Sequence, residues 1–252
     1  MKLNKLMQLL RDNAQARAEG EPSIRVDAGG DATGDAHVYV YDVIDAWWGA
    51  SADALISALQ PLGNRTVHLH VNSPGGDVFE ARAMAAAVVA YPGQVHAHVD
   101  GLAASAATYV AMAGNTLSMT EGGMLMVHES WTISYGNKHE LRKTTDLLDQ
   151  IDGLIAADYV RQTGATLDQV VAWMQAETWF TAAAALEAKF IDSIDPGSKR
   201  EAQPAASAAR WNLSAYANAP KLPPAANDPA MPEAVARQLQ ANRNRLRALH
   251  AI

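Results

Sequence analysis

The 252-residue chain contains no cysteine. That excludes disulfides, thiolate metal sites and a cysteine nucleophile, and it agrees with a cytoplasmic protein. Long apolar runs are also missing. None approaches the roughly 20 residues needed to span a bilayer, so no membrane partner is expected. The opening MKLNKLMQLLRDNAQAR is broken by charged and amide side chains. Its Leu3, Leu6, Met7 and Leu10 fall at i, i+3, i+4, i+7, which predicts a short amphipathic helix rather than a signal peptide. There is no phosphate-binding loop of the G-x-x-x-x-G-K-[ST] type, so the chain is not its own unfoldase. A net charge of −7 argues against a nucleic-acid partner. No internal repeat is visible.

What is present is a chain that is 49% hydrophobic, enough for one domain with a large core plus appendages. Composition divides it into zones. Residues 1–35 hold the short helix and a Gly/Asp-rich arm, DAGGDATGD, that reads as flexible. Residues 36–198 alternate strand-like and helix-like segments. Residues 199–230 read as a Pro/Ala-rich linker, since six of the eleven prolines lie between Pro204 and Pro232. Residues 231–252 read as an amphipathic helical tail. From residue 201 onward there are six Lys/Arg and three Asp/Glu, so the tail region is basic and the rest acidic. A solvated helix and a partner-binding arm both fit that contrast.

In the middle zone HVYVYDVI, TVHLHVN, QVHAHVDG, TLSMT and MLMVHES read as strands. SADALISALQPL, VFEARAMAAAVVAY, SAATYVAMAG and a long stretch from Lys138 to Gly164 read as helices, with shorter helices following to about Ile191. This alternation predicts an α/β fold with a mostly parallel sheet.

Three segments have chemical potential. Asn72-Ser73-Pro74-Gly75-Gly76-Asp77 lies between a strand and a helix. Its glycines leave backbone N–H groups uncovered, as an oxyanion site requires, although Pro-Gly-Gly also suits a plain turn. Asp100 to Ala107 follows a strand and opens a helix, with Ser105 among small residues. A serine there is either a nucleophile or a helix cap. Its surroundings are not the G-x-S-x-G elbow of α/β-hydrolases. His128 ends the apolar strand MLMV, where it is either structural or a general base for a nearby serine. His68, His70, His96 and His98 alternate within strands and read as sheet-surface residues, while His37, His139 and His250 have no motif around them.

The order VNSPGGDV, GLAASAATYVAMAG, MLMVHES, ETWFTAAAALEAKFID resembles the ClpP peptidase family, and within it the ClpP-like head-maturation (prohead) proteases of tailed phages and prophages. The resemblance runs from about Val38 to Asp195; DVIDAWWG and SADALISALQ look like the entry region of the phage branch. It implies a ClpP/crotonase-like, mostly parallel sheet with repeated β-β-α units and a projecting handle helix from about Trp131 to Gly164. It further implies Ser105 as nucleophile, His128 as base, and Gly76 and Ala106 as oxyanion donors.

The family's aspartate position is occupied by Thr178, two residues before Phe180. Thr178 is therefore taken as the third member by position, with Glu177, Asp149, Asp152 and Asp168 as other candidates. A threonine hydroxyl can orient an imidazole but brings no carboxylate charge.

The implied activity is serine endopeptidase action on capsid or scaffold protein by a homo-oligomeric ring. No cofactor, no metal and no separate ATPase are called for, and the setting would be a bacterial host cytoplasm, prophage-encoded or virion-associated. Competing readings are a CoA enzyme of the crotonase type, a Ser–Lys peptidase using Lys138 or Lys143, and a catalytically impaired assembly protein with the same fold.

Overall fold

A computed structural model describes residues 9, 10, 12, 13, 22–29, 34–196 and 211–220. The tail at 231–252 lies outside the described residues. Among those described, eight strands form a single mixed sheet. They are β1 (Ile24–Asp27), β2 (Ala36–Val40), β3 (Val67–Ser73), β4 (Val95–Ala104), β5 (Thr116–Thr120), β6 (Met124–Val127), β7 (Thr178–Thr181) and β8 (Ser193–Asp195). The helices are α1 (Ala52–Leu59), α2 (Val78–Ala90), α3 (Ala107–Met112), α4 (Lys138–Thr163), α5 (Leu167–Gln175) and α6 (Ala182–Glu187).

Strands β2, β3, β4, β5 and β8 pair parallel, and β1 adds antiparallel at the edge of β2. The expected mostly parallel sheet is therefore present. Strand β1 leads into the arm read as flexible and shares Asp27 with it; it is short, and Arg25, Val26 and Asp27 are exposed. Arg65 ties the same region down by donating to the carbonyls of Ala28, Gly34 and Asp35.

The sheet forks at β4. Its first half, His96–Val99, pairs with β5, whereas Leu102–Ala104 pair with β6. Strand β7 then adds antiparallel to β6. The fork carries the end of β4 away from β5 and lays it beside β6, which fixes where residues 105 and 128 emerge.

Alternation along the strands explains the core. Val67, Leu69 and Val71 of β3, and Val95, Ala97 and Val99 of β4, are buried with Val38, Met84, Val88 and Val110 in the main cluster. The intervening histidines fill the opposite face, as their spacing predicts. They do so as a ladder: His68 pairs in register with His96, and His70 with His98. His37 Nδ1 lies 3.0 Å from His70 Nε2, and His68 Nδ1 2.9 Å from His98 Nε2. His70 and His98 also meet Asp100 and Asp195. His37, which has no motif around it, thus stacks into the same ladder.

Helix caps follow ordinary chemistry. Ser51 caps α1 by accepting from Ala54 N–H, and Asp77 caps α2 by accepting from Phe79 and Glu80 N–H. Asn137 and Glu140 form a reciprocal capping box for α4, and Gly164 ends that helix in the left-handed conformation. The long helix therefore starts at Lys138; residues 131–137 precede it without regular structure. Its second half packs Ile151, Ile155 and Tyr159 into the core, while Leu141, Leu147 and Leu154 are exposed. No helix among the described residues is long and apolar enough to cross a membrane.

Candidate active site

Strand β4 delivers Ser105 and strand β6 delivers His128. Ala104 is in register with Met126, and the Ser105 N–H donates to the Met126 carbonyl at 2.8 Å. One residue beyond Val127, His128 Nε2 lies 2.7 Å from Ser105 Oγ. Ser105 is not a helix cap: Ala106 occupies the N-cap of α3, and no side chain caps it. Ser105 adopts φ of +54°, a conformation uncommon for a residue with a side chain. Such strain at the end of a strand is a feature of reactive positions.

The Pro-Gly-Gly turn touches this pair directly. A Cβ on Gly75 would lie 2.5 Å from the Ala104 carbonyl oxygen and 3.1 Å from the Ala106 nitrogen. Backbone accounting around the turn is nearly complete. Gly75 N–H donates to Ser73 Oγ, the Gly75 carbonyl accepts from Ile44 N–H, and Asp77 N–H donates to the Ile44 carbonyl. Gly76 N–H has no hydrogen-bond partner among the described residues, and neither has Ala106 N–H. Two uncommitted N–H groups beside a Ser–His pair can receive a developing oxyanion.

His128 is largely withdrawn from water. Trp131 and Tyr216 stand edge-to-face against its ring at centroid distances of 5.6 and 5.4 Å. Burial pulls its pKa down to about 4, and the nearby negative charge of Glu177 pushes in the opposite direction. The imidazole is thus neutral near pH 7, the form that accepts a proton.

The side behind His128 differs from an ordinary triad. Val127 pairs with Thr178 across β6 and β7, so continuing the antiparallel register sets Glu177 opposite His128. The Thr178 hydroxyl donates to the Trp173 carbonyl at 2.8 Å, and among the described residues it has no hydrogen bond to His128. Glu177 sits at φ +48°. Its carboxylate accepts from the Ala217 and Asn218 N–H groups and from Trp179 Nε1. Asp152 accepts from Ser130 N–H at 2.6 Å, while Asp149 and Asp168 are exposed. No carboxylate among the described residues forms an ion pair with His128. Lys138 and Lys143 are exposed; the group on Ser105 Oγ is the imidazole.

Within the stretch read as a linker, residues 211–220 pack onto the body. Trp211, Leu213, Ala215 and Tyr216 are buried with Leu9, Leu102, Ala104 and Met126 in a second apolar cluster. Alanine and proline dominate the composition of 199–230 and mask a short aromatic run, WNLSAY, whose Trp, Leu and Tyr are the signal for burial.

A pocket opens beside Ser105 and His128. Its apolar wall includes Phe79, Tyr109, Leu147, Ile151, Ile155 and Tyr159. No group of three or more His, Asp or Glu side chains is arranged to hold a metal ion among the described residues.

Comparison with known proteins identifies the family and the fold. The family model described as Clp protease matches residues 32–196. The chain is 28% identical over 132 residues to proteolytic subunit 1 of an ATP-dependent Clp protease from Leifsonia xyli subsp. xyli (strain CTCB07), covering 52% of this chain and 67% of the relative. It is 28% identical over 142 residues to the corresponding subunit 2 from Rhodococcus jostii (strain RHA1), covering 56% and 72%. A point mutant of ClpP1 from Listeria monocytogenes superposes with a TM-score of 0.58 at 16% identity, covering 66% of this chain and 93% of that one, which establishes the shared fold. A family match over well more than half of the chain, on the fold its members adopt, shows that this protein belongs to the Clp protease family of ClpP-type serine peptidases.

Proposed function

We propose that this protein is a serine endopeptidase that processes capsid or scaffold protein during phage head maturation. The observation that carries the chemistry is the 2.7 Å contact of Ser105 Oγ with His128 Nε2, beside the free N–H groups of Gly76 and Ala106. Ser105 Oγ attacks the scissile carbonyl carbon while its proton passes to His128 Nε2. The carbonyl oxygen, now negative, is held by Gly76 and Ala106 N–H. Collapse breaks the C–N bond, and His128 returns the proton to the departing amine. Water then attacks the acyl-enzyme, giving its proton to His128 and releasing Ser105. The apolar wall of Ile151, Ile155 and Tyr159 suits an apolar substrate side chain next to the cleaved bond.

Thr178 keeps the third position in sequence and fixes the Trp173 turn, while Glu177 supplies the nearby negative field. The phage assignment rests on the DVIDAWWG and SADALISALQ segments, and its setting is the cytoplasm of a bacterial host. A homo-oligomeric ring follows from the family and from the exposed leucines of α4; native mass spectrometry reads its size. The specific test is co-expression with the capsid and scaffold proteins of the same genome. Processing is expected with the Ser105 chain and not with Ser105→Ala; processing that continued unchanged would sink the proposal.

A second reading, an impaired assembly protein, is favoured by the missing carboxylate partner of His128. Reaction with a fluorophosphonate separates the two, because only a peptidase labels.

The pH dependence follows from burial. The base must be neutral, so the labelling rate rises with pH through about 4 and is flat from about pH 6 to 8. A midpoint near the ordinary imidazole value of about 6.5 would contradict the buried setting of His128. Linkage has the same sign. The unfolded chain protonates this imidazole first, so its contribution to stability is lost as pH falls from about 6.5 towards 4.

A further inference from the structure

Residues 211–220 touch every segment of the site. Trp211 Nε1 donates to Asn72 Oδ1 at 3.1 Å, in the strand end that enters the Pro-Gly-Gly turn. Tyr216 is buried, and its hydroxyl donates to the Pro74 carbonyl at 2.6 Å. Its ring stands edge-to-face on His128 and on Trp179, with centroid distances of 5.4 and 5.8 Å. Ala217 and Asn218 N–H groups hold the Glu177 carboxylate at 2.8 and 2.7 Å, and Asn218 Nδ2 donates to the Ala176 carbonyl. Asn212 anchors the other end through Asp12 and Asn13.

A segment lying on an active site either blocks it or builds it. The open pocket decides between these. Ser105 and His128 both line it, and none of residues 211–220 does. The segment does not wall that pocket, and its Tyr216 phenol also meets the Ser105 side chain.

We propose that residues 211–220 complete the active centre and that Tyr216 is a positioning residue for the reaction, its ring fixing the His128 imidazole and its hydroxyl fixing the Pro74–Gly75 peptide. This rests on the peptidase reading. The hydroxyl adds a further bond to that turn: Tyr216 holds the Pro74 carbonyl while Ser73 Oγ holds the Gly75 N–H. Both ends of the peptide that precedes Gly76 are pinned, so the Gly76 N–H keeps its aim. The ring stands against an imidazole that lacks a carboxylate clamp, and Tyr216, Trp131 and His128 form one three-ring cluster in which Tyr216 and Trp131 are themselves 5.7 Å apart. Burial raises the phenol pKa well above its ordinary value, so the hydroxyl remains a donor.

The experiment compares the full chain with Tyr216→Phe and Tyr216→Ala. Fluorophosphonate labelling is resolved into probe affinity and maximal rate. Tyr216→Phe keeps the ring and loses the hydroxyl, so the maximal rate falls about tenfold at unchanged affinity. Tyr216→Ala loses both, and the rate falls about a hundredfold. In the same samples the His128 titration is followed by NMR. It moves up by about one unit or more in Tyr216→Ala, as water reaches the ring, and stays put in Tyr216→Phe.

Labelling of both variants at the parent rate overturns the proposal, and faster labelling of Tyr216→Ala would make the segment an inhibitory cover instead. If the parent chain does not label, the peptidase reading fails by itself. The His128 titration then decides the packing role: a shift in Tyr216→Ala supports it, and none overturns it.

Discussion

Gly76→Ala is expected to reduce Ser105 labelling at least a hundredfold and to destabilise the fold by about 3–5 kcal/mol, read by denaturant unfolding. An added Cβ would meet the Ile44 carbonyl oxygen at 2.0 Å and the Ile44 carbonyl carbon at 2.9 Å. Both are backbone atoms, so no side chain can swing away. The residue also sits at φ +152°, which side chains rarely adopt. Relief requires the turn to leave Ile44, breaking the bonds Gly75 and Asp77 make to it. The free N–H of Gly76 then loses its aim, and stability and chemistry fail together.

A glycine elsewhere behaves differently. Gly153, exposed on α4, has no atom within 4 Å of an added Cβ. Gly153→Ala is expected to raise stability by about 0.5–1 kcal/mol with labelling unchanged. Equal effects at the two positions would contradict the assignment of the turn.

Ser105→Ala is expected to lower peptide hydrolysis by a factor on the order of 10⁴–10⁶ while leaving the fold intact. The fold is spared because alanine carries the same Cβ, so the cost of φ +54° is unchanged. The bond from the N–H of residue 105 to the Met126 carbonyl is a backbone bond and survives as well. What disappears is the atom that attacks. The loss is large because nucleophile, base and oxyanion donors act as a unit; the remaining N–H groups bind but have no alkoxide to serve. A loss of only a few-fold, with an unchanged unfolding curve, would mean that another group carries the reaction.

The pair Ser105 and His128 was legible because each closes a strand with a readable pattern, and two glycine-rich turns flank them in one order. Alternation in TVHLHVN and QVHAHVD also placed four histidines on one sheet face. It did not reveal that they stack with His37, because strand register is a pairing property that no single strand carries. The strand Ile24–Asp27, just ahead of the Gly/Asp-rich arm, was missed for the same reason: it exists as an edge partner of β2. Position gave Thr178 behind His128, but the backbone at Glu177 turns to φ +48°, and the threonine hydroxyl goes to Trp173. Consecutive side chains on a short strand point to opposite faces, so sequence position alone cannot choose between them. The segment 211–220 was hardest to see. Its burial depends on Asn72, Pro74 and Glu177, each far away along the chain.

The central claim is that Ser105 is a nucleophile activated by His128 in the setting just described. Mass-spectrometric mapping of the full chain after reaction with a fluorophosphonate tests it most directly. A single adduct on Ser105, absent from Ser105→Ala and strongly slowed in His128→Ala, is the predicted result; an unmodified chain, or an adduct on another residue, would contradict it.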